Sequence, residues 1–271
     1  MAFDLNNFVV DRPYRATMID KNTGVALWMI RQLQNPSLNM TAENNDVVDA
    51  IGSLIKRFER NKQCTFSGSS AIFDLGLFAA QAGTTKKVAS SDAKIVALCS
   101  EELTGKTGTE LTLKHTPVGT AGSEITAIYA LDKAGNMAKA YTVAAQAAEG
   151  TFKIDAATKK LTLPTSITEA TRFLVIYSYE ADGSEGNGAI EITATAEDFP
   201  VAGRMIVEVL GEDVCTTGVK LYAYLDFPNA KLTSNFDITW GTDSEHPFEI
   251  TCMQEYCDAE KKLFTLIVPE A

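Results

Sequence analysis

Histidine is nearly missing from this sequence: His115 and His246 are its only two. Neither stands in a paired arrangement with a serine or cysteine that it could activate, so triad-type nucleophilic catalysis has no candidate. Metal-ligating clusters are missing as well. Cys252 and Cys257 lie close together, but no second pair of cysteines or histidines accompanies them, and a structural zinc ion needs four such donors in tetrahedral reach. They are expected to be buried as small apolar residues. The five cysteines, Cys64, Cys99, Cys215, Cys252 and Cys257, are odd in number and scattered. That excludes a disulfide framework and predicts free thiols. Phosphate loops are absent too, because the glycine-rich stretches 119–123 and 183–188 do not end in Gly-Lys-Ser/Thr and read as turns.

Positive charge is scarce. Lys and Arg number 24 against 35 Asp and Glu, a net charge of −11, which argues against a protein that holds duplex DNA by neutralising its phosphates. The same acidity would repel a polyanion passing alongside. No run approaches the roughly 18 apolar residues of a transmembrane helix, so no membrane contact is expected. The opening residues lack a basic segment followed by a continuous apolar one, so no signal peptide is expected and folding in a reducing cytoplasm is. Carboxylates are plentiful, yet nothing selects a pair for glycosidic chemistry. With no catalytic, cofactor or metal site in view, the expectation is a non-enzymatic building block whose function lies in its surfaces.

What the chain does have is strand after short strand. Hydrophobic residues make up 45% of it, enough for a globular fold. Residues 15–19 and 25–31 flank Asp20-Lys21-Asn22-Thr23-Gly24, a hairpin signal. A polar stretch with Pro36 and no apolar period, 35–46, reads as an exposed loop that contacts neighbours, with Asn39, Glu43, Asn44, Asn45 and Asp46 as its candidate contact residues. Residues 54–67 alternate as a strand with one highly charged face. Its run Lys56, Arg57, Phe58, Glu59, Arg60, Asn61, Lys62 is the one basic patch. Lys56, Arg57, Glu59, Arg60 and Lys62 are the candidate subunit-interface residues, meeting acidic groups such as Asp243, Glu245 or Glu255 of a neighbour.

One principal helix is expected at about 70–82, capped by Ser69 or Ser70, with Asp74 near its positive end and Gly83 as a left-handed stop. Further on, 132–136 and 156–159 read as turns between strands, 173–179 as a nearly continuous apolar strand, and 236–240 and 248–252 as late strands. His115 and His246 are read as solvated turn residues. Trp28 and Trp240 both lie in strand-like contexts, where core packing is the default. The fold class predicted is mainly β: an antiparallel β-sandwich or barrel with one flanking α-helix and an inserted β region. Residues 1–115 and 197–271 form the core, and the Ala/Thr-rich 116–196 is inserted and faces outward.

The segment 62–83, with the ending 227–238 and Phe264-Thr-Leu-Ile-Val-Pro269, resembles the virion structural proteins of tailed bacteriophages, and among them most the tail tube proteins. The likeness covers both flanks, about 1–114 and 197–271. It implies a β-sandwich or barrel subunit with a flanking helix that associates with itself in rings, usually hexameric, stacked into a hollow tube. Hairpins or long loops would reach the adjacent ring, other tail proteins would be partners, and double-stranded DNA would be a non-adhering passenger. The place implied is the virion tail, assembled in the bacterial cytoplasm. Two other classes share the composition. A capsid decoration or head-associated protein would bind preformed capsids, and a carbohydrate-binding β module would display aromatics on an exposed platform.

Overall fold

The computed structural model describes residues 7–144, 146–214, 218–242, 245–255 and 260–270. In chain order the elements are β1 (Phe8–Ile19), β2 (Ala26–Ile30), β3 (Leu33–Val48), β4 (Leu54–Ser70), α1 (Leu75–Gln81), β5 (Lys87–Val88), β6 (Ile95–Gly105), β7 (Glu110–Thr112), β8 (Ile125–Leu131), β9 (Met137–Ala144), β10 (Thr151–Asp155), β11 (Lys160–Thr162), β12 (Thr171–Ala181), β13 (Ile190–Glu191), β14 (Ala202–Asp213), β15 (Lys220–Leu232), β16 (His246–Cys252) and β17 (Thr265–Ile267). The protein is therefore mainly β with a single helix among the described residues, and its sheets are antiparallel but for one pair. The chain divides into two compact units, Met1–Lys86 with Ile192–Ala271, and Lys87–Glu191.

The first unit is built on one strongly curled sheet in the order β2-β1-β14-β15-β16-β4-β3, with β17 added to β15. Local chemistry sets its turns. Between β1 and β2 the Asp20 carboxylate accepts the backbone N–H groups of Asn22 and Thr23, and Gly24 adopts φ +71°, so the tight reversal predicted there forms. The concave face holds the core, in which Met18, Trp28, Phe66, Phe227, Phe248 and Ile250 are all buried. Trp28 and Phe66 lie 5.4 and 6.3 Å from Phe248 between ring centroids, so three aromatic side chains bind three strands together.

Helix α1 closes this core from above through Leu77, which is fully buried. It is shorter than expected and starts later. Ser69 and Ser70 pair with Pro247 and His246 as the last residues of β4, so they are not free to cap it. Asp74 caps it, its Oδ1 accepting the N–H of Leu77 at 2.7 Å. Gly83 ends the helix region at φ +72°, and a Cβ there would stand 2.6 Å from the backbone of Phe199, so only glycine fits.

The second unit is a seven-stranded sheet in the order β6-β12-β8-β9-β10-β11-β7. Its core is aromatic, with Phe152, Phe173 and Tyr141 edge-on to one another at 5.2 to 5.9 Å. Strands β9 and β10 pair in parallel, the exception to the antiparallel pairing that the short connections suggest. The chain enters through β5 and leaves through β13, which pair with each other, Lys87 opposite Glu191. Residues 87–115, grouped with the core in the sequence reading, pair inside this unit: β6 along β12, and β7 along β11.

Three local expectations are corrected here. The stretch 35–46 is strand, part of β3, and no loop. Residues 236–240 form no strand, and Trp240 is 75% exposed, its ring tilted against Phe73 at 4.8 Å. His246 opens β16 and is only 1% exposed, where a solvated turn had been expected.

Candidate assembly surface

Strands β3 and β4 form one long hairpin, and its outer half leaves the sheet. Strand β16 pairs with β4 only from Cys64 to Ser70. Toward the tip from Cys64, β4 has no neighbour but β3 among the described residues, and every residue from Leu54 to Gln63 is exposed, as is every residue of β3 after Leu33. At about 3.3 Å per residue this two-stranded arm extends roughly 30 Å from the sheet. Bulges interrupt it between Gln34 and Ser37 and between Thr41 and Glu43, and Asn35 and Asn61 adopt φ 49°, a left-handed conformation that asparagine tolerates.

The two candidate sets read from the sequence are brought together here as opposing strands of this arm. Glu43 faces Arg60, Asn44 faces Glu59, Asn45 faces Phe58 and Asp46 faces Arg57, while Asn39 sits opposite Thr65 nearer the base. Arg57 binds Asp46 with both branches of its guanidinium, Nε to Oδ1 at 2.7 Å and Nη2 to Oδ2 at 2.9 Å. That bond holds the Asp46 carboxyl below its ordinary pKa and raises Arg57. The Asn61 amide donates to Glu43 at 3.0 Å, and the Lys56 ammonium lies 4.9 Å above the Phe58 ring. The charged strip thus spends part of its charge inside the arm. Of the acidic partners suggested for it on a neighbour, Glu245 accepts the Ser69 hydroxyl at 2.6 Å and Glu255 pairs with Lys21 of the same chain. Asp243 lies outside the described residues.

The tip is apolar, a property outside both candidate sets. The turn is tied by Asp49, whose Oδ1 accepts the N–H groups of Ile51 and Ser53, with Gly52 at φ +88°. Around it Val47, Val48, Leu54, Ile55 and Phe58 are exposed, and Ile51 is 87% exposed. These side chains stand on both faces of the ribbon. The signal that could have found them is the run 47–55, which carries one charge in nine residues.

The remaining chemistry-bearing residues are held structurally. His246 accepts the Asp74 N–H at Nδ1 (3.2 Å) and meets Gln81 Oε1 through Nε2 (2.8 Å), with Phe73 stacked on its ring at 4.8 Å. Burial lowers its pKa. His115 stacks on Tyr179 at 3.9 Å. Cys252 lies opposite Cys64 across β16 and β4, and burial pushes its thiol up first, the Cys64 neighbour second. Cys257 lies outside the described residues. No group of three or more metal-ligating side chains occurs among the described residues, and no helix is long and apolar enough to cross a membrane.

Compared with known proteins, residues 8–263 match the family model described as the YomU/Tube protein family. No curated protein matches the chain.

Proposed function

The chain belongs to the YomU/Tube protein family, and we propose on that premise that it is the subunit of a phage tail tube, joining copies of itself into stacked rings. The observation that carries this reading is the arm. An isolated two-stranded hairpin is marginal in water, yet this one projects far from its sheet with large apolar side chains on both faces of its tip. Such a tip gains stability only when a partner covers it. The sheet also ends in two strands, β2 and β3, each with one side unpaired among the described residues, and edges of this kind can extend from copy to copy in an assembly.

On this reading the rings are hexameric and the arms tie neighbouring copies together. The net charge of −11 lets DNA slide through the bore without adhering. Assembly takes place in the host cytoplasm, other tail proteins cap the ends, and the tube ends in the virion. Electron microscopy of the purified protein across a range of salt and concentration tests this. Hollow tubes or stacked rings are the expected result. A dispersed monomer that decorates preformed capsids would instead identify a head-associated protein.

A further inference from the structure

Helix α1, the edge strand β2 and residues 198–201 enclose an apolar groove of about 460 Å³ on the first unit, lined by Leu27, Trp28, Ala79, Ala80 and Val201 among others. Leu27 and Val201 remain exposed at its rim. The charged residues lining it are one cation and one anion, Lys86 and Asp198. Neither makes an ion pair among the described residues, and Asp198 receives a hydrogen bond from the Thr195 hydroxyl.

We infer that this groove is the receptor for the arm tip of a second copy of the chain, with Ile51 as the inserted side chain. This inference rests on the tube reading and names the surface through which it works. The tip and the groove match in three respects. The tip offers a protruding apolar side chain where the groove offers an apolar floor on which the small side chains of Ala79 and Ala80 leave room for it. Apolar groups on both faces of the ribbon suit insertion into a cleft better than contact with a flat surface. The charges correspond in kind, since the tip carries one anion, Asp49, and its first cation, Lys56, has no ion-pair partner among the described residues. Docking places Lys56 against Asp198 and Asp49 against Lys86.

Knob and groove are different surfaces of one chain, and the exposure of the tip shows that it does not occupy its own groove. In the tube reading the contact is head to tail, and a reciprocal exchange that closes at two copies would give cross-linked dimers and no ladder. Repeated head-to-tail contact closes into rings or runs on as a helical filament, and both are forms a tube can take. The edge of β2 borders the groove, so an incoming strand also finds unpaired backbone groups there.

The test pairs Ile51→Cys with Val201→Cys in the full chain and applies a short bis-maleimide, with each single-cysteine variant as control for the native thiols. A ladder of covalent multimers in the double variant alone is expected. In parallel, Asp198→Lys should raise the protein concentration needed for assembly roughly tenfold, as loss of a central charge pair does. Lys56→Asp added to it should restore assembly, which a folding defect would not allow. Tubes without a ladder, or tubes of Asp198→Lys at the wild-type concentration, would overturn the groove assignment and leave the tube reading intact. A ladder from oligomers that never form tubes would support the groove and overturn the tube. A protein that stays monomeric and gives no ladder overturns both.

Discussion

Replacing His246 by Phe should cost the first unit about 2–6 kcal/mol and remove part of its sensitivity to acid. The bonding around this ring admits one protonation state. The carbonyl of Pro247 can only accept, so Gln81 presents its amide N–H there, at 2.8 Å, and turns Oε1 toward the histidine. The Asp74 N–H can only donate, so Nδ1 carries no proton and Nε2 carries one. Phenylalanine keeps the stack on Phe73 but leaves the Asp74 N–H and the Gln81 Oε1 without partners. Each such loss costs about 1–3 kcal/mol when the group stays out of water. Gln81 is 3% exposed, which supports the larger figure for its oxygen.

For a unit of this size the loss corresponds to a fall in Tm of roughly 5–20 °C. Both tryptophans, Trp28 and Trp240, belong to the first unit, so their fluorescence during heating reports that unit alone. The pH dependence carries the sharper sign. Burial lowers the His246 pKa below its ordinary 6.5, so below that value the unfolded chain binds a proton that the folded unit refuses. Stability is full above pH 6.5 and declines as pH falls toward the folded-state pKa. Protonating Nδ1 would also set it against the Asp74 N–H, and the nearby Asp74 carboxylate offsets only part of this. His246→Phe should therefore show a shallower decline just below pH 6.5 than the wild type. A loss under about 0.5 kcal/mol, the scale of an ordinary surface change, or parallel pH profiles, would refute this account.

Two further outcomes are expected. Arg57→Asp alone should weaken assembly, because it breaks the bidentate pair with Asp46 inside the arm, while Asp46→Arg combined with Arg57→Asp should recover it. Failure of the swap would mean that the strip faces a neighbour directly, and sedimentation of assembled material measures either case. Deleting 87–191 and joining the ends by a short glycine-serine link should leave the first unit folded, because β5 and β13 pair at the entry and exit. Retained tryptophan fluorescence and a cooperative melt would show it, and a chain that fails to fold would make the second unit integral to the first.

The sequence by itself determined whatever depends on neighbours along the chain. The reversals at 20–24 and 132–136 need only Asp, Asn and Gly at set positions, and the one at 156–159 is tied by the preceding Asp155, whose carboxylate accepts the Thr158 N–H. The helix before Gly83 announced itself through apolar spacing, and the family likeness through the order of such segments. The tertiary structure alone decided what depends on distant residues. Strand β3 was illegible because period-2 alternation appears only when one face of a strand is buried, and both faces of the arm meet solvent. The alternating Phe236-Asp-Ile-Thr-Trp240 looked like strand, but no neighbouring strand pairs with it among the described residues. His246 reads as a surface residue in the sequence because the groups that bury and bond it, Phe73, Asp74 and Gln81, lie more than 160 residues earlier in the chain. The two sets of arm residues stand apart in the sequence for the same reason. Cross-strand register places Asp46 on Arg57 and Asn45 on Phe58, and register is set when the hairpin closes.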